Sequence, residues 1–139
     1  MVKERIQLTI DGVAVEVPKD TTILEAARSV GIAVPSLCYL KDLNQIAACR
    51  VCVVEIEGIQ KLVASCNNKV WEGMVVHTNS PRVREARRVN VELLLTQHNC
   101  DCPYCIRSGN CELQKLANHL GLSHLAFHKD VPKTRWDMH

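Results

Sequence analysis

The first part of the chain alternates apolar and polar residues in two short runs, the pattern of half-buried β-strands. The runs cover residues 3–10 and 13–17, and the Asp-Gly pair between them favours a tight hairpin turn. Apolar residues then recur at helical spacing, with Asp20 or Thr21 as the predicted N-cap and Gly31 as the predicted stop. The pattern therefore predicts a β-hairpin followed by a short helix.

The segment 32–52 shows no regular period and contains three cysteines. A loop of this length is uncommon in a small domain unless something organises it. Beyond it, short strands are predicted at residues 53–57, 61–65 and 74–78. A hairpin, a helix, a long loop and then further strands is the element order of a β-grasp domain.

A longer helix is predicted to begin at Ser80-Pro81 and to run to about Gln97. Serine is a favourable N-cap, and proline at the first turn has no N–H whose hydrogen bond would be lost. The apolar stripe of this helix comprises Val83, Ala86, Val89, Leu93 and Leu94. Its basic side, expected to be solvated, comprises Arg82, Arg84, Arg87 and Arg88. A last short helix is predicted over residues 112–120.

Eight cysteines distinguish this chain of 139 residues from an ordinary small domain. Small units usually need a staple besides their apolar core, and cysteines supply either disulfides or metal ligands. The amino terminus has no apolar run of signal-peptide length, and no segment approaches the length of a membrane span. We therefore expect a soluble, cytoplasmic protein, whose reduced thiols favour metal ligation over disulfides.

The first set of candidate ligands comprises Cys38, Cys49, Cys52 and Cys66, in the pattern C-x10-C-x2-C-x13-C. Thiolates hold the iron of iron–sulfur clusters, and a C-x2-C turn lets two sulfurs reach one metal centre. A structural zinc site is the alternative, although such sites usually pair two C-x2-C knuckles and this set has one. The first gap is also wider than the C-x4-C gap of plant-type ferredoxins.

The second set comprises His98, Cys102, Cys105 and Cys111, in the pattern H-x3-C-x2-C-x5-C. Over about residues 1–125, the two sets resemble the N-terminal cluster-binding region of iron-only hydrogenases and of the large iron–sulfur subunit of complex I-type NADH dehydrogenases. The resemblance implies that the first set binds a [2Fe–2S] cluster and the second set a [4Fe–4S] cluster. A neutral imidazole in place of a thiolate makes the second cluster less negative and easier to reduce.

Cys100 departs from the family pattern, which requires no cysteine between His98 and Cys102. We interpret it as a spare, buried thiol. The alternatives are a redox-active thiol, or a replacement ligand in an all-cysteine cluster without His98. We predict that His98 is the ligand.

The formal net charge of +2 treats every thiol as neutral. Bound clusters with their thiolate ligands would bring the total to about −1, so the charge gives no argument for nucleic-acid binding. The arginines of the long helix would alternatively offset cluster charge or dock an acidic partner. The remaining histidines share no ligand spacing and are expected at the surface; they are His77, His119, His124, His128 and His139.

The expected fold is α+β. Residues 1–79 form a β-grasp, [2Fe–2S] ferredoxin-like domain, residues 80–97 a linking helix, and residues 98–121 a small helical [4Fe–4S] module. The C-terminal tail, residues 122–139, is expected to dock onto a partner.

The expected function is electron transfer. The chain would relay single electrons between a subunit that handles NAD(P)H or a flavin and a second redox partner, such as a hydrogenase or another acceptor subunit. No acid–base pair, nucleophile motif or glycine-rich nucleotide loop occurs, so no catalytic centre is predicted on this chain. The alternatives are an N-terminal piece of a longer catalytic hydrogenase or dehydrogenase subunit, and a zinc-stabilised interaction module.

Overall fold

A β-hairpin opens the part of the chain that the computed structural model describes, residues 4–123. Strands β1 (Arg5–Ile10) and β2 (Val13–Pro18) pair antiparallel along their full length. The turn residues Asp11 and Gly12 have φ angles of 48° and 82°, as a type I′ turn requires. The predicted hairpin is therefore confirmed.

Helix α1 (Ile23–Ser29) follows the hairpin and begins slightly later than predicted. Its N-cap is Thr22, whose side-chain oxygen accepts a hydrogen bond from the N–H three residues on, at 3.3 Å. The predicted caps, Asp20 and Thr21, are wrong because the Thr21 backbone instead closes the turn after β2 and pairs with a later loop. The helix stops where expected, since Gly31 takes a φ angle of 77° just beyond its end.

Three further strands complete a mixed sheet of five. They are β3 (Val53–Ile56), β4 (Val63–Ala64) and β5 (Val75–His77), close to the predicted segments. The strand order is β2-β1-β5-β3-β4, with β1 and β5 parallel and the other neighbours antiparallel. Helix α1 packs its buried face against this sheet in the main apolar core. The predicted α+β class and ferredoxin-like fold are confirmed.

Helix α2 (Pro81–Thr96) confirms the predicted long helix, and its N-cap is the predicted serine. Its buried face differs from the predicted stripe, because Arg87 is 6% exposed whereas Leu93 is 47% exposed. The buried residues of α2 are Val83, Arg87, Val91 and Glu92, and the first three lie one above the other on the helix. The predicted solvation of Arg87 is therefore wrong: its place on the helix, between two buried valines, outweighs its polarity.

A 3₁₀ turn (Cys102–Tyr104) and helix α3 (Glu112–His119) follow α2. Helix α3 lies where the sequence predicts it and buries Leu116 and Ala117. It ends just before Gly121, the expected stop, whose φ angle is 66°.

Part of the prediction falls on residues 124–139, which lie outside the described residues. These include most of the proposed docking tail and three of the histidines expected at the surface, His124, His128 and His139. Of the other two, His119 is exposed and the His77 side chain is 40% exposed. Within residues 4–123, no helix combines the length and the apolar character that crossing a membrane requires.

Replacing Thr22 with Ala removes the side-chain acceptor at the start of α1. We expect the free energy of unfolding to fall by about 1 kcal/mol, the usual effect of losing such a cap. Thr21→Ala is the matched control and should lower it by less than about 0.5 kcal/mol. Urea unfolding of both variants under anaerobic conditions, followed by circular dichroism, measures the difference. Equal losses in the two variants would show that the cap is wrongly assigned.

Candidate metal centres

The four cysteines of the first set come from the irregular segment and from the ends of two strands. Cys38 and Cys49 lie between α1 and β3 and are partly buried. Cys52 directly precedes β3, Cys66 closely follows β4, and both are buried in the main core. All four are free thiols.

The four thiols lie near one another, because Cys66 interacts electrostatically with each of the other three. Within residues 4–123, however, no three of them are grouped as a single metal ion would need. The side chains of Cys38 and Cys49 are hydrogen-bonded to each other, and so are those of Cys52 and Cys66. Burial raises the pKa of Cys66 to about 12, with further contributions from the hydrogen bond to Cys52 and from the charges of the other cysteines. The two cysteines of the C-x2-C turn therefore fall in different pairs, which their spacing did not indicate.

The Cys49 sulfur faces hydrogen-bond donors. Burial disfavours its thiolate, but hydrogen bonds with the backbone of Val51, Leu37 and Cys38 and with the Cys38 side chain outweigh burial and lower the pKa of Cys49. Donors aimed at a sulfur stabilise its ionised form. Hydrogen bonds to the sulfurs also tune the reduction potentials of iron–sulfur clusters.

The segment between α1 and β3 bends sharply at residues other than glycine. Asp42, Ala47 and Arg50 have φ angles of 61°, 53° and 54°. Such positive φ angles are uncommon outside glycine and persist where the surrounding structure enforces them, often at functional sites. Asn44 also donates its side-chain N–H to the Cys38 carbonyl at 3.0 Å. The backbone is thus bent sharply close to two cysteines of the first set.

Helix α1 anchors the start of this segment through Tyr39, which adjoins Cys38. The Tyr39 hydroxyl donates to the Glu25 carboxylate at 2.8 Å, and burial together with this bond raises the pKa of Tyr39 to about 12. Arg28 pairs with Glu25 at 3.1 Å and lies over the Tyr39 ring, 5.1 Å from its centre. No sequence pattern links Tyr39 with the two helix residues, so this network was not predicted.

The second set of candidate ligands follows the end of α2. His98 is exposed and comes directly after the C-cap of that helix. Cys102 begins the 3₁₀ turn, Cys105 follows the turn, and Cys111 is the N-cap of α3. The Cys105 sulfur accepts a hydrogen bond from the Arg107 N–H at 3.4 Å.

The structure does not bring the side chains of the second set into a common hydrogen-bonded group. Across residues 4–123, no three His, Cys, Asp or Glu side chains are grouped as a single metal ion would need. The four residues are instead arranged along a short stretch of chain between α2 and α3.

Cys100 points back toward α2. Its sulfur lies 3.5 Å from the Leu95 carbonyl oxygen and 3.6 Å from that of His98. Partial desolvation of the sulfur, and to a lesser degree the charge of Cys102, raises the pKa of Cys100. The predicted burial of this thiol is wrong, because Cys100 follows the end of α2 on the surface and is exposed. The orientation of its sulfur toward backbone carbonyls agrees with the interpretation as a spare thiol, which stays a prediction.

A second apolar cluster, here called the bridging cluster, joins the irregular segment to α2 and α3. Its buried members are Val51, Val91 and Leu116. Its partly buried members are Leu37, Cys49, Leu94, Leu95, Leu113, Leu120 and Leu122. Cys49 comes from the first set, and Leu95 and Leu113 flank the second set in sequence. The bridging cluster therefore extends from one set toward the other.

Two families of cluster-binding sequences match this chain. Residues 3–81 match the 2Fe-2S iron-sulfur cluster binding domain. The chain belongs to that family. Residues 87–125 match the NADH-ubiquinone oxidoreductase-G iron-sulfur binding region. The two cofactors predicted for this cluster-binding chain, one [2Fe–2S] and one [4Fe–4S] cluster, are thereby confirmed.

Curated relatives of the cluster-binding chain include subunits of redox enzymes. It is 49% identical over 122 residues to the NADP-reducing hydrogenase subunit HndD of Solidesulfovibrio fructosivorans, over 84% of this chain and 21% of that protein. It is 39% identical over 128 residues to the mitochondrial NADH-ubiquinone oxidoreductase 78 kDa subunit of Candida albicans, over 92% of this chain and 18% of that protein. The chain thus spans about a fifth of the length of these relatives.

A solved structure shares the fold. The crystal structure of an NAD+-reducing [NiFe]-hydrogenase in the H2-reduced state aligns with a TM-score of 0.85 and 33% sequence identity. The alignment covers 94% of this chain and 55% of that chain. The predicted resemblance to the cluster-binding regions of hydrogenases and NADH dehydrogenases is confirmed.

Replacing Tyr39 with Phe removes only the hydroxyl that ties the irregular segment to α1. We expect the free energy of unfolding to fall by about 1 to 2 kcal/mol, because a hydrogen bond to a carboxylate is lost. Tyr104→Phe is the control, since Tyr104 is 88% exposed, and it should have little effect. Anaerobic urea unfolding measures both variants. If they are equally stable, the Tyr39 hydroxyl does not anchor the segment.

Proposed function

We propose that this chain is an iron–sulfur electron-transfer subunit that passes single electrons between its [2Fe–2S] and [4Fe–4S] clusters. The observation that carries this proposal is the bridging cluster, which contains Cys49 and reaches the residues on both sides of the second set. Each cluster supplies the redox chemistry when bound, whereas the protein positions the two centres and tunes them by burial and hydrogen bonding.

We propose that Cys38, Cys49, Cys52 and Cys66 hold the [2Fe–2S] cluster. Support comes from their free thiols, from their convergence as two pairs, and from the donors around Cys49. A [2Fe–2S] cluster takes four thiolate ligands for its two iron ions, which agrees with two pairs. The first set therefore fits this cofactor in both number and chemistry.

We propose that His98, Cys102, Cys105 and Cys111 hold the [4Fe–4S] cluster. The support is the family match over residues 87–125, which spans all four positions. The orientation of Cys100 toward backbone carbonyls also favours His98 over Cys100 as the fourth ligand. An imidazole ligand would make this cluster easier to reduce than one held by thiolates alone.

The proposed partners are other redox subunits. Relatives are named as subunits of an NADP-reducing hydrogenase, an NADPH-Fe(3+) oxidoreductase and an NADH-quinone oxidoreductase. We propose by analogy that one partner of this chain handles NAD(P)H or a flavin. A second partner, a hydrogenase or another acceptor subunit, would complete the transfer.

A second candidate is that the same relay works inside a longer catalytic hydrogenase or dehydrogenase subunit. The chain spans only 14% to 21% of the length of several curated relatives, which favours this candidate. Electron transfer would remain the task of the described domain, and the catalysed reaction would belong to other parts of the polypeptide. The mass of the native polypeptide distinguishes the two candidates.

Anaerobically purified protein should contain about six iron and six sulfide ions per chain, the content of one [2Fe–2S] and one [4Fe–4S] cluster. Cys66→Ala should remove about two irons and Cys105→Ala about four, because each replaces a ligand of one cluster. Iron and sulfide assays with EPR spectra of the reduced protein measure this, and Cys100→Ala serves as the control that keeps all iron. Zinc without iron in the wild type would instead favour a zinc-stabilised interaction module.

Replacing His98 with Ala should change the reduction potential or the EPR signal of the [4Fe–4S] cluster, whereas Cys100→Ala should leave both near their wild-type values. His98→Cys should lower the potential, because a thiolate adds negative charge to the cluster. EPR-monitored redox titration provides the measurement. The reverse pattern, with a strong effect of Cys100→Ala and none of His98→Ala, would assign the ligand position to Cys100.

A further inference from the structure

Helix α2 buries an arginine beside the first set of cysteines. Arg87 is 6% exposed, and its Nε donates to the Val51 carbonyl at 2.9 Å. Its Nη2 donates to the Val53 carbonyl at 3.1 Å and to the Thr78 carbonyl at 3.2 Å. A buried guanidinium is costly unless its N–H groups find acceptors, and here three backbone carbonyls provide them.

The two carbonyls at Val51 and Val53 lie on either side of Cys52 in the chain. The Cys52 carbonyl accepts two hydrogen bonds from Ser65, one from its backbone N–H at 3.0 Å and one from its hydroxyl at 2.7 Å. The preceding carbonyl, that of Arg50, accepts from the Asn90 side chain on α2 at 2.7 Å. Four successive carbonyls around the C-x2-C turn are therefore held by specific donors.

This arrangement fixes the direction of the peptide groups around Cys52. The C=O and N–H of a trans peptide point in opposite directions, and the described chain contains no cis peptide. Because the Val51 carbonyl faces the guanidinium, the Cys52 N–H points away from it. The hydrogen bond from Arg87 to the Val51 carbonyl therefore sets both the position of Cys52 and the orientation of its amide dipole.

The guanidinium also acts through its charge. Burial lowers the pKa of Arg87, whereas the negative charge of Cys52 raises it, so the two groups interact electrostatically. Arginine stays protonated in proteins, and a fixed positive charge acts over a longer range in a buried site than at the surface. Reduction adds an electron to a cluster that already carries negative charge, and a nearby cation stabilises the added charge.

The third acceptor of Arg87 is itself anchored. The Thr78 N–H donates to one carboxylate oxygen of Asp11 at 2.8 Å, and the Thr78 hydroxyl donates to the other at 2.5 Å. Asp11 belongs to the hairpin turn between β1 and β2. The guanidinium is therefore held on a rigid part of the sheet rather than on a free helix face.

We propose that Arg87 is a positioning residue that holds Cys52 in place and raises the reduction potential of the [2Fe–2S] cluster. The inference rests on the proposed ligand set, since Cys52 must be one of the four ligands. It gives the buried arginine a function beyond packing of α2.

The test compares Arg87→Met, Arg87→Lys and the control Arg84→Met in the full, cluster-loaded chain. Arg84 lies on the same helix, is exposed, and donates to the Asn79 carbonyl at 2.8 Å, so its variant removes the same charge away from the site. EPR-monitored redox titration gives the potential and the signal shape of each cluster.

Arg87→Met should shift the [2Fe–2S] potential to a more negative value and change the shape of its signal, with the [4Fe–4S] potential nearly unchanged. Arg87→Lys keeps the charge but loses the planar fork of donors, so its potential should lie between those of Arg87→Met and the wild type. Arg84→Met should resemble the wild type, because exposed charges are screened.

The inference is wrong if Arg87→Met moves the [2Fe–2S] potential no further than Arg84→Met does. It is also wrong if neither Arg87 variant yields folded, cluster-loaded protein, because Arg87 would then serve folding alone. A wild type without any [2Fe–2S] signal would instead defeat the proposed function. The two failures are thus distinguishable.

Discussion

The four cysteines that we propose as ligands of the [2Fe–2S] cluster carry like charge when ionised and lie near one another in a partly buried site, and much of the structure responds to this constraint. Burial and the neighbouring cysteines raise the pKa of Cys66 to about 12, whereas nearby donors lower the pKa of Cys49 against the effect of burial. Hydrogen-bond donors around the Cys49 sulfur reduce the repulsion between the sulfurs. The Arg87 guanidinium near Cys52 reduces it as well. Iron held by these thiols would complete the compensation, because a coordinating thiol is deprotonated by its metal.

Helix α2 connects the two halves of the molecule. On one side, Arg87 and Asn90 hold the carbonyls around the C-x2-C turn. On the other, Val91 packs with Val51 and Leu116 in the bridging cluster. The first set of cysteines and the module that follows α2 therefore share one rigid element, which suits two redox centres whose separation has to stay constant.

Local patterns were sufficient for most of the fold. Alternation and an Asp-Gly pair predicted the hairpin, and serine before proline predicted the start of α2, because these preferences act within a few residues. The same reasoning misplaced the cap of α1 by one or two residues, since Thr21 is engaged by a distant loop. It also treated Arg87 as solvated, because the Val51 and Val53 carbonyls that it binds lie 36 and 34 residues away in sequence.

The sequence by itself determined the element order, the α+β class and the two sets of candidate ligands, because caps, periodicity and ligand spacing are properties of neighbouring residues. The tertiary structure alone decided that Cys38 pairs with Cys49 and Cys52 with Cys66, and that an arginine lies beside them. These features depend on contacts between an irregular segment, a sheet and a helix. Such contacts leave no period in the sequence, since each partner is chosen by packing in three dimensions.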